Sequence, residues 1–273
     1  EIMAELTLSN IIDGITHSSK YAQIAPEVIS HLAEQELPRH KKLSTAIKAA
    51  RTKLHQAAGA YLDSSIIYAQ ITKELELIHD DDVESLKIWA YKTMRLHAST
   101  EERLSDLEDF YRLALGSILQ PDSILDLACG FNPLSLPYQP GFPNTIYLAC
   151  DIVLPMLDLI NAFLKKINNP GYAFACDLAV NIPDPSADLA LLMKTIPLLD
   201  QLNRQIVPRL LNGLKTDVIL ASFPLKSLGG YDKGMLNTYR SRMAELTDNS
   251  RFEVEEFAFH NEIAFLLRRK GLR

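Results

Sequence analysis

The chain has 273 residues, 47% of them hydrophobic and 23% charged, with a net charge of −6. That balance excludes a disordered or fibrous chain and suits one large domain or two modest ones. Three irregularly spaced cysteines exclude a disulfide framework and a zinc signature, no apolar run reaches membrane-spanning length, and the N-terminus has no basic-then-apolar leader, so the expected location is cytoplasmic.

Residues 1 to about 119 are predicted to be helical. Ile66, Ile67, Ile71, Leu75 and Ile78 recur at three- and four-residue spacing, with breaks near Pro26, Pro38 and the Asp80, Asp81, Asp82 run. From Leu37 to Leu62 there is no acid, while Arg39, Lys41, Lys42, Lys48, Arg51 and Lys53 are present with His40 and His55. Lys48, Arg51 and His55 fall three or four residues apart and share a helical face. Such a face is either simply solvated or a seat for phosphate. Further along, Ser99-Thr-Glu-Glu102 has the form of a capping box, predicting a helix that carries Leu104, Leu107, Phe110, Tyr111 and Ala114 into a core. Arg103 then either pairs with Glu102 or Asp106 on the surface, or grips the carboxylate of an amino-acid-like cofactor.

From about residue 122 the rhythm becomes strand, turn, helix. Strands are predicted at 123–127, 145–150, 172–176, 189–193 and 217–222, with a helix at 198–214 broken or kinked by Pro208. Phe252–His260 and Glu262–Arg268 read as a terminal hairpin. Strands alternating with helices predict an α/β fold with a doubly wound parallel sheet.

Ser123-Ile-Leu-Asp-Leu-Ala-Cys-Gly-Phe-Asn-Pro133 is the most informative stretch. Ala128 and Gly130 let the backbone approach a ligand closely, Asn132 is placed to cap a helix, and Pro133 suits its first position. Ligands of open α/β sheets bind outside the carboxyl ends of the strands, where Asp126, Asp151 and Asp177 stand. A carboxylate accepts two hydrogen bonds from a ribose diol, the part expected of Asp151, and Asp177 could accept from an adenine amino group. Alternatively each Asp caps the next helix. The turn lacks the second and third glycines of a pyrophosphate cradle, so a small adenosine-containing cofactor fits better than a dinucleotide. Lys194 follows the fourth strand, either where an acceptor approaches or as a solvated loop residue. Residues 222–235 form a glycine-bearing loop in which Phe223 and Tyr231 could stack on a base and Lys226 and Lys233 meet phosphate. With Arg240 and Arg242 these lysines form a second basic group. Cys129, Cys150 and Cys176 read as small buried apolar residues.

In register, these stretches resemble the aminoglycoside-resistance 16S rRNA methyltransferases that modify guanine N7. The resemblance rests on Ala49-Ala-Arg-Thr-Lys-Leu-His55 with Gly59-Ala-Tyr61, His97-Ala-Ser-Thr-Glu-Glu-Arg-Leu104, Ile124 to Leu134, Cys150-Asp151, Lys194-Thr-Ile-Pro-Leu198, and Ser222 to Gly230 with Lys233-Gly-Met235. It implies a helical N-terminal RNA-docking domain over 1–105 and a Rossmann-like domain over 106–273 that binds S-adenosyl-L-methionine. Arg103 would hold the methionine carboxylate, with His97, Ala98 and Ser99 lining that end. Ala128 and Gly130 would pass beneath the cofactor, Asp151 would take the ribose, Asp177 with Leu178 the adenine, and Tyr61 and Met193 would line the pocket. Lys194 and Glu262 correspond to catalytic positions near the target base. Lys48, Arg51, Lys53, Lys226 and Lys233 would contact RNA. The implied substrate is 16S rRNA in the 30S subunit, met by a monomer without metal, and methylation there would give aminoglycoside resistance. The chain departs from the family pattern at His260-Asn-Glu-Ile263, Phe131 and Ser135. Two rival readings are a small-molecule methyltransferase with a helical lid and a non-catalytic RNA-binding protein.

Overall fold

The computed structural model describes residues 5–58, 66–116, 121–139, 145–227, 230–231, 233–248 and 251–271. Its first part is helical, as the periodicity predicts: α1 (Leu8–Thr16), α2 (Pro26–Glu36), α3 (Leu43–Ala58), α4 (Tyr68–Glu76), α5 (Val83–Met94), the single turn α6 (Ala98–Glu101) and α7 (Leu107–Leu115). Pro26 opens α2 rather than breaking it, since a first-turn residue has no intrahelical use for its N–H. Asp82 caps α5 by accepting from the Ser85 N–H. The Ser99 capping box is not formed. His97 precedes α6 without a side-chain cap, and Glu102 is drawn away to Lys194.

The second part supplies β1 (Ser123–Leu127), β2 (Ile146–Asp151), α8 (Leu154–Lys166), β3 (Ala173–Ala175), β4 (Leu189–Met193), α9 (Ile196–Leu202), α10 (Ile206–Gly213) and β5 (Val218–Pro224). A small ribbon of β6 (Lys226–Ser227) and β7 (Gly230–Tyr231) precedes α11 (Lys233–Thr247), and β8 (Phe252–Ala258) and β9 (Glu262–Arg269) close the sequence. The predicted single helix over 198–214 is two helices, parted at Asn203. Pro208 does not break α10, because it lies in the first turn, where backbone N–H groups lack helical partners anyway.

Seven strands form one sheet in the order β3-β2-β1-β4-β5-β9-β8, with β1 to β5 parallel and the β8/β9 hairpin antiparallel. The five residues of β4, Leu-Ala-Leu-Leu-Met, are all buried, as a central strand covered on both faces requires. Edge strand β8 instead exposes Glu253, Glu255 and Glu256, charges that discourage pairing with another chain. Alternate residues serve opposite faces. Ile124, Tyr147 and Leu191 join a core with α1 to α5, α7 and α8, while Leu125, Leu148 and Leu192 join one with α9, α10 and α11. The helical part is thereby continuous with one face of the sheet, and Trp89 of α5 stacks on Phe163 of α8 at 5.9 Å. The Ala25 N–H donates to the Ile152 carbonyl at 2.8 Å, and the Leu154 N–H to the Gln23 carbonyl at 2.9 Å.

Candidate active site

Strand order reverses between β1 and β4, and a cleft opens there at the carboxyl ends, enclosing about 820 Å³ that is partly open to solvent. Its floor is the turn after β1. Ala128 (φ 51°), Gly130 (φ 52°) and, after β4, Lys194 (φ 57°) all adopt left-handed backbone and all line the cleft. For Ala128 and Lys194 that conformation costs on the order of 1–2 kcal/mol each, strain of the kind that collects at functional sites. At Gly130 a β-carbon would stand 2.9 Å from His97 Cε1, so a side chain is excluded by space as well as by φ.

Asp151 secures this turn from β2. Its Oδ2 accepts from the Gly130 N–H at 3.0 Å, and its Oδ1 from the Ile152 N–H at 2.6 Å. Asp177 accepts from the Ala179 N–H at 2.9 Å in a local turn, with no helix after it to cap, while also lining the cleft. Burial pushes both carboxyl groups above their ordinary pKa. Between the two acids the wall is apolar: Ile152, Val153, Met156, Leu178 and Met193, with Leu198, Leu199 and Leu202 from α9.

At the other end stands a buried polar cluster. Lys194 Nζ donates to the Ser99 carbonyl at 3.0 Å and to Glu102 Oε2 at 2.7 Å, and lies 3.6 Å from Glu262 Oε2. Glu262 receives Arg103 Nε at 2.9 Å and Nη2 at 2.6 Å, while Arg103 Nη1 donates to Asn132 Oδ1 at 2.7 Å. Burial works against ionised Glu262, but Arg103, Lys194 and Ser222 outweigh it and hold its pKa below the usual value. His97 goes the other way. Burial, reinforced by Lys194, lowers it to about 4, so its ring is neutral at physiological pH, with Nδ1 hydrogen-bonded to Ser99 Oγ at 2.8 Å.

Asn132 is the hub behind this cluster. Its Oδ1 also accepts from the Tyr111 hydroxyl at 2.7 Å, and its Nδ2 donates to Asp126 Oδ2 at 2.9 Å. The Tyr147 hydroxyl donates to the same Asp126 oxygen at 2.7 Å, leaving Asp126 Oδ1 buried without a hydrogen-bond partner. Burial raises Asp126 to about 7 against the pull of Asn132, Tyr147 and Arg103. The expectation that Asn132 caps a helix is therefore corrected. The segment Asn132–Tyr138 is a 3₁₀ helix, and the amide is drawn instead into the buried network.

The structure thus gathers His97, Ser99, Ala128, Gly130, Asp151, Asp177, Leu178, Met193 and Lys194 on one cleft. Ala98 is exposed and off its wall. Arg103 and Glu262 do not line the cleft. They lie behind Lys194, each buried and paired with the other, because a guanidinium out of water takes the nearest carboxylate. Tyr61 lies outside the described residues, and of Lys226 and Lys233 only the backbone is described. Glu102, Asn132 and the α9 leucines escaped sequence reasoning. For the leucines the signal was present in the three- and four-residue spacing of Leu198, Leu199 and Leu202; for Glu102 and Asn132 there was none, since Glu102 meets Lys194 92 residues on and the partners of Asn132 come from separate elements.

The basic N-terminal face divides in two. Lys48, Arg51 and His55 line one shallow hollow between α1 and α3, as their spacing predicts. Lys53 points elsewhere, to Glu36 at 2.6 Å, and the same buried carboxylate takes Arg39 at 3.1 Å and His40 at 2.9 Å. Glu36 stands one residue outside the acid-free window and neutralises part of it. The two arginines of the second basic group are paired as well: Arg240 with Glu256, and Arg242 with Asp200 and Glu245. Among the described residues no His, Cys, Asp and Glu side chains group as a metal site would need, and no helix is long and apolar enough to cross a membrane.

Residues 17–266 match a family model described as ribosomal RNA methyltransferase (FmrO). A Serratia marcescens protein named 16S rRNA (guanine(1405)-N(7))-methyltransferase is 32% identical over 268 residues, covering 97% of this chain and all of the relative (100%). A Micromonospora rosea protein of the same name is 28% identical over 263 residues, covering 95% of this chain and 96% of the relative. The crystal structure of the 16S rRNA methyltransferase RmtF in complex with S-adenosyl-L-homocysteine aligns with a TM-score of 0.80 at 29% identity, covering 98% of this chain and 100% of that one. The structure of the 16S rRNA methylase RmtB aligns equally well, with a TM-score of 0.80 at 27% identity and the same coverage, 98% and 100%.

Proposed function

Because this chain belongs to the FmrO family of ribosomal RNA methyltransferases, we propose that it transfers a methyl group from S-adenosyl-L-methionine to N7 of guanine 1405 in 16S rRNA, the reaction for which its relatives are named. The observation that carries this reading is the cleft floor, where left-handed backbone at Ala128 and Gly130 leaves room for a nucleoside and Asp151 both fixes the turn and faces the cleft. The residues present fit such a cofactor. Asp151 would take the ribose hydroxyls, Asp177 and Leu178 the adenine, and His97 and Ser99 the methionine end, with Met193 lining the pocket.

Bound there, the cofactor supplies a methyl group on a positively charged sulfur. Guanine N7 carries an in-plane lone pair, so no group of this chain has to remove a proton first. The chain's work is orientation and exclusion of water, worth up to about 7–11 kcal/mol in favourable cases. Lys194, held by Glu102 and Glu262, presents a fixed cation at the cleft and is not assigned as a base. A neutral His97 adds no second cation beside the methyl donor. Arg103 and Glu262 keep Lys194 in place from behind. Residues 1–105 would dock on the rRNA of the 30S subunit, with Lys48 and Arg51 facing phosphate and 106–273 carrying the chemistry, as a cytoplasmic monomer. A methyl and a positive charge added to the drug site would weaken binding of a polycationic aminoglycoside.

The test is incubation with 30S particles and labelled methyl donor, then mapping by borohydride and aniline cleavage, which reports N7-methylguanine. Scission at guanine 1405 is expected. Labelling elsewhere, or none, overturns the reading.

A further inference from the structure

We propose that the exposed face at the end of α5, formed by Ile88, Tyr91 and Lys92 with Arg95 and Leu96 just beyond, seats the RNA strand beside the target base. The proposal rests on the function above and adds to it a surface that lies apart from the basic face of α3. Residues 88, 91, 92 and 95 are spaced three and four apart and share one side of the helix. Ile88 is 55% exposed, Tyr91 41% and Leu96 46%, while the opposite side of α5 buries Trp89, Ala90, Thr93 and Met94.

This face also carries free charge. Most cations of the sheet's outer elements are engaged: Arg204, Lys215, Arg240 and Arg242 with acids, and Arg209 and Arg269 with backbone carbonyls. The side chains of Lys92 and Arg95 have no ion pair or hydrogen bond among the described residues. A single cation would complement the C-terminal end of the helix dipole. That account leaves the exposed ring and isoleucine beside it unexplained. A strand of RNA uses all three chemistries, because its phosphates meet free cations and its bases stack on an aromatic or apolar platform.

Placement supplies the rest. Arg95 precedes the cleft-lining His97 by two residues, a chain distance of at most about 7 Å. The face therefore adjoins the cleft that His97 and Lys194 both line. The opposite end of α5 carries Asp80, Asp81, Asp82 and Glu84, so a polyanion is favoured only at the end next to the cleft.

The test compares Lys92→Glu with Arg95→Glu, their combination, and Tyr91→Ala, measuring 30S affinity across a salt series and S-adenosyl-L-homocysteine affinity alongside. For the double variant we expect 30S binding weakened about tenfold or more, and a slope of log K against log salt lower by about 1.5, the sum for two phosphate contacts. Homocysteine-cofactor affinity should not change, which reports an intact fold. An unchanged salt slope with wild-type methylation of 30S overturns the seat and leaves the function standing. A loss confined to Tyr91→Ala, with the slope intact in the lysine and arginine variants, means that no phosphate is held here and also overturns it. Failure of the wild-type chain to bind 30S at all overturns both.

Discussion

Arg103 and Glu262, 159 residues apart, meet through two hydrogen bonds of 2.9 and 2.6 Å in a site almost closed to solvent. The pair fastens the turn after α6 to the first residue of β9, and the same carboxylate stands 3.6 Å from Lys194 on the cleft. Removing one member of such a pair leaves a charge buried without its partner, which costs about 3–5 kcal/mol. Arg103→Ala and Glu262→Ala should each lower urea-unfolding stability by that order. The double variant should lose clearly less than the sum of the two, as groups in contact are not additive. An additive double variant would show that the two groups do not act as a pair.

Asp126 makes a pH prediction. Its folded pKa is raised, to about 7 from an ordinary 3.8, so its neutral form is the one the fold favours. The stability this contributes is fully present below about pH 3.8 and is lost as pH rises through about 7. Asp126→Asn keeps an oxygen to accept from Tyr147 and Asn132 but cannot ionise. Relative to the parent, the variant should gain about 3–4 kcal/mol between about pH 4 and pH 8, three pKa units at 1.36 kcal/mol each. Parallel stability curves across that range would mean that Asp126 does not titrate in the folded chain.

The same contrast separates what was legible in the sequence from what was not. Strands β1 and β4 have the predicted bounds because each is a continuous apolar run closed by a turn signal, a local property. The cleft floor was legible for the same reason, since small residues and an acid in immediate succession describe one turn. Asn132 read locally as a cap, yet its partners Asp126, Tyr111, Tyr147 and Arg103 converge on it from separate elements. No spacing rule announces such a meeting. Glu102 misled similarly: three residues after Ser99 it matches a capping box, but a buried ammonium 92 residues away makes the stronger claim on a carboxylate.

Asp151→Ala should lower affinity for S-adenosyl-L-homocysteine by about ten- to a hundredfold, the loss expected for charge-assisted hydrogen bonds. Two effects add. On the proposed reading the ribose hydroxyls lose their acceptor, and the Gly130 N–H, released from Oδ2, no longer fixes the turn. Titration calorimetry reads this directly, and unchanged affinity would remove Asp151 from the site.

Lys48 and Lys53, neighbours on α3 in an acid-free window, should fail in opposite ways. Glu36 is buried, and its carboxyl is held below its ordinary 4.5 because Lys53, His40 and Arg39 outweigh the cost of burial. Its share of stability is present above about pH 4.5 and is lost on acidification through the lowered pKa. Lys53→Ala should therefore cost stability, about 1–2 kcal/mol at neutral pH because Arg39 and His40 remain, and that cost should shrink as Glu36 is protonated. Its affinity for 30S should change little, since a lysine already holding a carboxylate has little charge to offer a phosphate. Lys48 makes no ion pair among the described residues and lines the hollow with Arg51 and His55. Lys48→Glu should leave urea unfolding within about 0.5 kcal/mol of the parent while weakening 30S binding and flattening its salt dependence by about one contact. The reverse pattern, with Lys53 governing binding and Lys48 stability, would mean that α3 turns its other side to the ribosome.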